Sequence, residues 1–112
     1  MAVEYKHKEY FKRLPGYSTD SFTDVENAKT RCAFHSTWLT NSSPTITYAL
    51  EDSNKTLVAT LEFADSAKQE AWKTAVTDLF DGGTAWLADG IKLFKIEWLH
   101  ADGSVSATTN LE

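Results

Sequence analysis

At 112 residues and 12.5 kDa the chain has room for one domain, and its 42% hydrophobic and 24% charged residues are ordinary globular values. No apolar run approaches the roughly 18 residues of a membrane span, which excludes a membrane as partner. Sixteen acids against eleven bases give a net charge of −5 spread along the chain. Nucleic acid is therefore disfavoured, because phosphate backbones call for clustered Lys and Arg. The one basic cluster, Lys6, His7, Lys8, Lys12 and Arg13, is interrupted by Glu9 and preceded by Glu4.

Residues 3–14 admit two readings. Val3, His7, Tyr10, Phe11 and Leu14 stand at helical spacing before a Pro15-Gly16 stop. As a strand, the same stretch puts Tyr5, His7, Glu9 and Phe11 on one face and Lys6, Lys8, Tyr10 and Lys12 on the other. Lysines of that kind suit an edge strand, where charge discourages further pairing. After a polar connector, Thr23 and Glu26 form a capping box that opens a helix. A weak stripe of Phe22, Val25, Ala28, Cys32 and Leu39 carries that helix towards Trp38. Against it, Cys32, Phe34, Ser36 and Trp38 alternate, and the segment is rich in strand formers. Both readings stand on pattern alone.

The clearest stretch is Thr45 to Phe80. Ile46, Tyr48 and Leu50 alternate with polar residues, as do Leu57, Ala59, Leu61 and Phe63. A four-residue loop at Asp52-Ser53-Asn54-Lys55 sets Leu50 opposite Leu57, Tyr48 opposite Ala59 and Ile46 opposite Leu61, with Thr45, Thr47, Thr60 and Glu62 outward. From Ala67 the period changes: Ala71, Trp72, Ala75, Val76, Leu79 and Phe80 make one helical stripe over 66–81. Ser66 with Gln69 fits a capping box, Asp65 is a rival cap, and Gly82-Gly83 stops the helix. Trp72, Val76 and Leu79 are expected to meet Tyr48, Leu61 and Phe63 in the core.

Trp86 and Leu87 lie in a loop or single turn. A strand follows over IKLFKIEWLH, with Phe94, Ile96 and Trp98 expected on one face. Asp102-Gly103 is a hairpin signal that folds Val105 to Thr109 back beside it. The tail beyond is expected to fray. Leu111-Glu112 has the look of a cloning scar and is set aside, leaving one α+β domain over 1–110.

Two plans follow. A strand at 4–14 and a helix over 22–38 give βαββαβ, the ferredoxin-like order, which is favoured: an antiparallel sheet of four or five strands with the helices on one face. The alternative has an N-terminal helix, a three-stranded meander (31–40, 45–52, 56–63), the long helix and a final hairpin. Both are two-layer α+β sandwiches.

LEFADSAKQEAWKTAV, residues 61–76, and the turn Leu14-Pro15-Gly16-Tyr17 resemble corresponding segments of dimeric α+β barrel proteins, including antibiotic-biosynthesis-monooxygenase-like domains. The resemblance implies a ferredoxin-like subunit that pairs its sheet with a second copy. It transfers no catalytic residue.

Chemistry-bearing motifs are sparse. Cys32 and His35 stand three apart, but zinc needs three or four ligands and His7 and His100 are isolated, so no metal or cofactor is expected. A single cysteine excludes an internal disulfide and, with no signal-like stretch in MAVEYKHKEY, points to the cytoplasm. Asn41-Ser42-Ser43 and Asn54-Lys55-Thr56 are then turn chemistry rather than glycosylation sites. His100, Asp102 and Ser104 straddle a tight turn and read as a turn rather than a catalytic triad.

Four tryptophans exceed what the core requires. Trp72 and Trp98 are placed by pattern in the core, whereas Trp38 and Trp86 flank loops, where large rings suit an interface or lid the core. The candidate pocket or interface residues are Trp38, Tyr48, Trp72, Trp86, Trp98 and His100. The leading expectation is a non-enzymatic domain acting by self-association, as a homodimer, or by docking to another protein. The other is a small-molecule-binding protein or cofactor-independent enzyme of the dimeric barrel type, its pocket lined by Tyr48, Trp72, Trp86 and Trp98.

Overall fold

Lysine alternating with apolar and aromatic residues decides the first element in favour of a strand, β1, over Lys6–Arg13. The computed structural model describes residues 5–13, 21–32, 44–75, 87–88, 91–100 and 102–111. It corrects the N-terminal helix of the alternative plan. A helix could satisfy β1's backbone only within itself, whereas as a strand it pairs on both edges. Nor is β1 an edge strand. It lies in the middle of the sheet, antiparallel to β3 (Thr56–Glu62) and to β5 (Ile91–Leu99).

Beyond β3 lies β2 (Thr45–Glu51), in the predicted register: Leu50 faces Leu57, Tyr48 faces Ala59 and Ile46 faces Leu61. On the far side of β5, two strands share one edge. The two-residue β4 (Leu87–Ala88) pairs at Ile91 and Lys92, and β6 (Val105–Asn110) pairs from Lys95 to Leu99. Among the described residues the antiparallel sheet has six strands, the two-residue β4 included, in the order β2-β3-β1-β5 with β4 and β6 outermost.

Among the described residues two helices complete the second layer. In α1, Val25–Arg31, the cap is Asp24, whose carboxylate accepts from Asn27 N at 2.8 Å, while Asn27 Oδ1 accepts from Thr23 N at 3.1 Å. The cap thus links Asp24 to Asn27 N and Asn27 to Thr23 N, in place of the expected box of Thr23 and Glu26. Glu26 instead meets Lys29 one turn on. Cys32 closes the helix, so a strand does not begin at Arg31, and the rest of both readings of 33–40 lies outside the described residues. In α2, Ser66–Ala75, the cap is the rival, Asp65, which accepts from Lys68 N at 2.9 Å. Ser66 loses the role because its box partner, Gln69, turns into the core. The expected continuation to residue 81 and the Gly82-Gly83 stop lie outside the described residues.

Both helices cover one face. Trp72, Ala28 and Cys32, all fully buried, share a cluster with Phe11, Leu57, Ala59, Leu61, Phe63, Leu93 and Ile96. Trp72, Leu61 and Phe63 meet as expected, with Tyr48 half-buried at the margin, while Val76 and Leu79 lie outside the described residues. The expected row Phe94, Ile96, Trp98 is broken by a bulge. Tyr10 pairs Lys95 and Phe11 pairs Leu93, so Phe94 is the extra residue. Leu93 takes the core position, and Phe94 sits beside Tyr10 on the opposite face, ring centroids 6.2 Å apart.

Leu111, set aside with the tail, is buried against the core, and its N–H donates to Phe94 O at 2.9 Å. Pairing along β6 and the Leu111 bond tie the chain to the sheet as far as Leu111, where a frayed tail was expected. Among the described residues no helix is long and apolar enough to cross a membrane.

Candidate functional site

Alternation along β1 points His7, Glu9 and Phe11 to the same side. Their partners across the ladders, Leu61 and Trp98 for His7, Ala59 and Ile96 for Glu9, Leu57 and Leu93 for Phe11, make that side the core. An imidazole and a carboxylate, both 0% exposed, therefore lie beneath the helices. Gln69, 4% exposed, reaches them from α2.

The three side chains form one line. Gln69 Nε2 donates to His7 Nδ1 at 3.0 Å, and His7 Nε2 donates to Glu9 Oε2 at 3.2 Å. With Nδ1 accepting, the ring proton is fixed on Nε2 and aimed at the carboxylate. Glu9 Oε1 is buried and, among the described residues, has no hydrogen-bond partner. An orphaned acceptor of this kind costs about 1–3 kcal/mol, more for a charged group.

Aromatic rings enclose the line. The His7 ring is 4.5 Å from Trp72, 5.0 Å from Trp98 and 5.7 Å from Phe63, centroid to centroid. Trp72 and Trp98 meet edge-on at 6.0 Å. Trp98 Nε1 donates to Thr109 Oγ1 of β6 at 2.8 Å, which fixes its indole plane. On the other flank, Tyr48 stands across Ala59 from Glu9. Burial first, then the Glu9 and Cys32 charges, hold the Tyr48 phenol above its ordinary pKa. Burial likewise pushes the Cys32 thiol up to about 12, against the lowering pull of Arg13 and Arg31. That thiol is held protonated and is no nucleophile near neutral pH.

Of the residues singled out in the sequence, the fold brings Trp72 and Trp98 together and sets Tyr48 on the same face. His100 is elsewhere, exposed where the β5–β6 hairpin begins, its N–H donating to Ser104 O and its carbonyl accepting from Gly103 N. Asp102 Oδ1 accepts from both Ser104 N (2.9 Å) and Ser104 Oγ (2.6 Å), so these residues build a turn, as expected. Those bonds hold the Asp102 carboxyl below its ordinary pKa. Trp38, Trp86 and His35 lie outside the described residues. Among the described residues no three potential metal ligands cluster.

Sequence reasoning missed His7, Glu9 and Gln69. The signal was present for the first two, since the strand reading put them on one face with Phe11 while the lysines took the other. Compared with known proteins, the chain matches no family model, no curated protein and no solved structure.

Proposed function

We propose that the chain is a small-molecule-binding domain whose site lies between the sheet and its helices, with Glu9 accepting a hydrogen bond or a proton from the ligand. The observation that carries this reading is the buried Glu9 Oε1 with no described partner. A carboxylate is costly to place in an apolar core, and replacing a buried ionic pair by packed apolar residues is often neutral or stabilising. Retaining one with an acceptor left over is what a binding site requires. His7, donating its Nε2 proton to Glu9 Oε2, steadies the carboxylate while Oε1 accepts from the ligand.

A panel of small amines, amides and phenols tests the proposal, read through tryptophan fluorescence, since Trp72 and Trp98 both touch His7. Saturable binding by a donor-bearing ligand, lost in Glu9→Gln, supports the reading. Silence across the panel, with Glu9→Leu less stable than the native chain, would make the carboxylate a purely structural feature.

The strand order β2-β3-β1-β5, with one helix after β1 and one after β3, supports ferredoxin-like kinship, and with it the resemblance to dimeric α+β barrels. Self-association is the second reading, favoured by the charge pattern of the open face. Lys6, Lys8, Lys12, Lys92 and Lys95 occupy its β1–β5 half, with Glu97 among them, whereas Thr45, Thr47, Thr60, Glu51 and Glu62 occupy the β2–β3 half. Two copies related by a two-fold axis would set each basic half against an acidic one. Sedimentation at low and high concentration tests this, a strict monomer excluding it. A cytoplasmic location rests on the lone cysteine.

A further inference from the structure

Among the described residues the sheet ends at β2, whose only neighbour is β3. We infer that the outer edge of β2 pairs with the same edge of a second copy, antiparallel about a two-fold axis at Tyr48, so that two sheets join into one.

Backbone direction fixes which groups that edge offers. Phe63 N donates to Tyr5 O, so Leu57, Ala59 and Leu61, in phase with Phe63, also turn their N–H and C=O groups towards β1. Thr56, Val58, Thr60 and Glu62 therefore bond to Glu51, Ala49, Thr47 and Thr45 of β2, and the backbone groups of Ile46, Tyr48 and Leu50 point out of the sheet. Edge strands are ordinarily blunted by lysine, by a bulge or by an inward-pointing charge. β2 carries a single charge, Glu51 at its end, and pairs with β3 without a register shift.

The ends of the edge select its partner. Pro44, which has no N–H to offer, and Asp52, which leaves the strand at a φ of 54°, stand four residues either side of Tyr48. The edge is thus symmetric about Tyr48. Antiparallel pairing there sets Ile46 of each copy opposite Leu50 of the other, each pair exchanging both N–H···O bonds. On the core side this brings together residues that are half-buried in the single chain. On the open side Thr47 meets Ala49 and Thr45 meets Glu51, so no like charges face each other. A slip of two residues either way sets Pro44 or Asp52 against the ladder.

Seven residues a side fall short of a standard interface, so the dimer is weak and reversible. It stands apart from the Glu9 site and from association through the open face, because a two-fold axis perpendicular to the sheet leaves both open faces on one side and uncovered.

Sedimentation equilibrium of the full chain from about 10 µM to about 1 mM tests the inference, a reversible dimer being expected within that range. A strict monomer at the upper limit, the outcome if the edge is filled from within the chain, would overturn it. Thr47 and Ala49 are both exposed, so charges placed there spare the core. Thr47→Lys/Ala49→Lys sets lysines opposite one another across the axis and should weaken the dimer by about fivefold or more, whereas Thr47→Lys/Ala49→Glu sets opposite charges together and should tighten it. Equal effects of the two variants would overturn the pairing. Oxidised mixtures of Thr47→Cys and Ala49→Cys chains should give the mixed disulfide dimer ahead of either homodimer, because directly opposite Cβ atoms lie about 4.5–5.5 Å apart and diagonal ones about 7–8 Å. A dimer without that preference is held through another surface, and the edge is then not the interface.

Discussion

Nε2 of His7 lies 3.2 Å from Oε2 of Glu9, two residues further along the same strand and equally buried. Their energetics are those of a pair, because each satisfies a need in the other that the surrounding rings cannot meet. His7→Leu should cost about 3–5 kcal/mol, since it strips the carboxylate of its donor, whereas the double variant His7→Leu/Glu9→Leu should recover to native stability or above it. Urea unfolding of the four members of this cycle checks it through the coupling term.

Alkaline pH should destabilise the fold. Burial raises the Cys32 thiol from its ordinary 9.0 to about 12, and burial also raises Tyr10, whose hydroxyl donates to Glu97, and Tyr48. A raised folded-state pKa means the native chain binds more protons than the unfolded chain above pH 9. The stabilisation is complete below pH 9 and lost towards pH 12, by about 1.4 kcal/mol per pH unit for each group titrating. Thermal unfolding between pH 7 and 11 measures the slope. Cys32, 0% exposed, should resist a thiol reagent at pH 8 until the chain is unfolded.

The β2–β3 loop stores backbone strain. Asp52, Ser53 and Asn54 have φ of 54°, 54° and 66°, and only asparagine and aspartate tolerate that region well among side-chain-bearing residues. Ser53→Gly should stabilise the chain by up to about 1 kcal/mol, the relief exceeding the entropy that glycine adds to the unfolded state. Ser21 Oγ donates to the Ser53 carbonyl, a bond that survives the substitution, so a shift in the denaturation midpoint reports the backbone alone.

Leu111→Ala should cost about 2 kcal/mol, the lower end for a large-to-small change, since Leu111 remains 9% exposed. Denaturant unfolding would show it. No loss would mean that the contact with the core contributes nothing.

Where local pattern and tertiary packing agree, the sequence was a sufficient guide. The β2–β3 register followed from alternation and loop length, because a one-residue slip would turn Ile46, Tyr48 and Leu50 to solvent. The order around β1 was harder to see, since its partners lie some fifty and ninety residues away, and its lysines suit an open face as well as an edge. Phe94 was misplaced because a bulge leaves no mark in alternation. The candidate site was half legible. Trp72 and Trp98 were found by period, whereas His7 and Glu9 were passed over because polar residues in a charged stretch are ordinarily solvated, and only the sheet's centre shows that these are not.

The placement of β1 bears on how the chain folds. β1 cannot acquire either of these neighbours until β3 has been made, nor its second until β5 follows, so its ladders close loops of roughly fifty to ninety residues. Such long-range closure places folding towards the slow end for small domains, about milliseconds to seconds, with β1 waiting unpaired until β3 and β5 have been made. Until then Lys6, Lys8 and Lys12 keep that waiting strand charged on one side, and so guard the nascent chain against joining the wrong sheet.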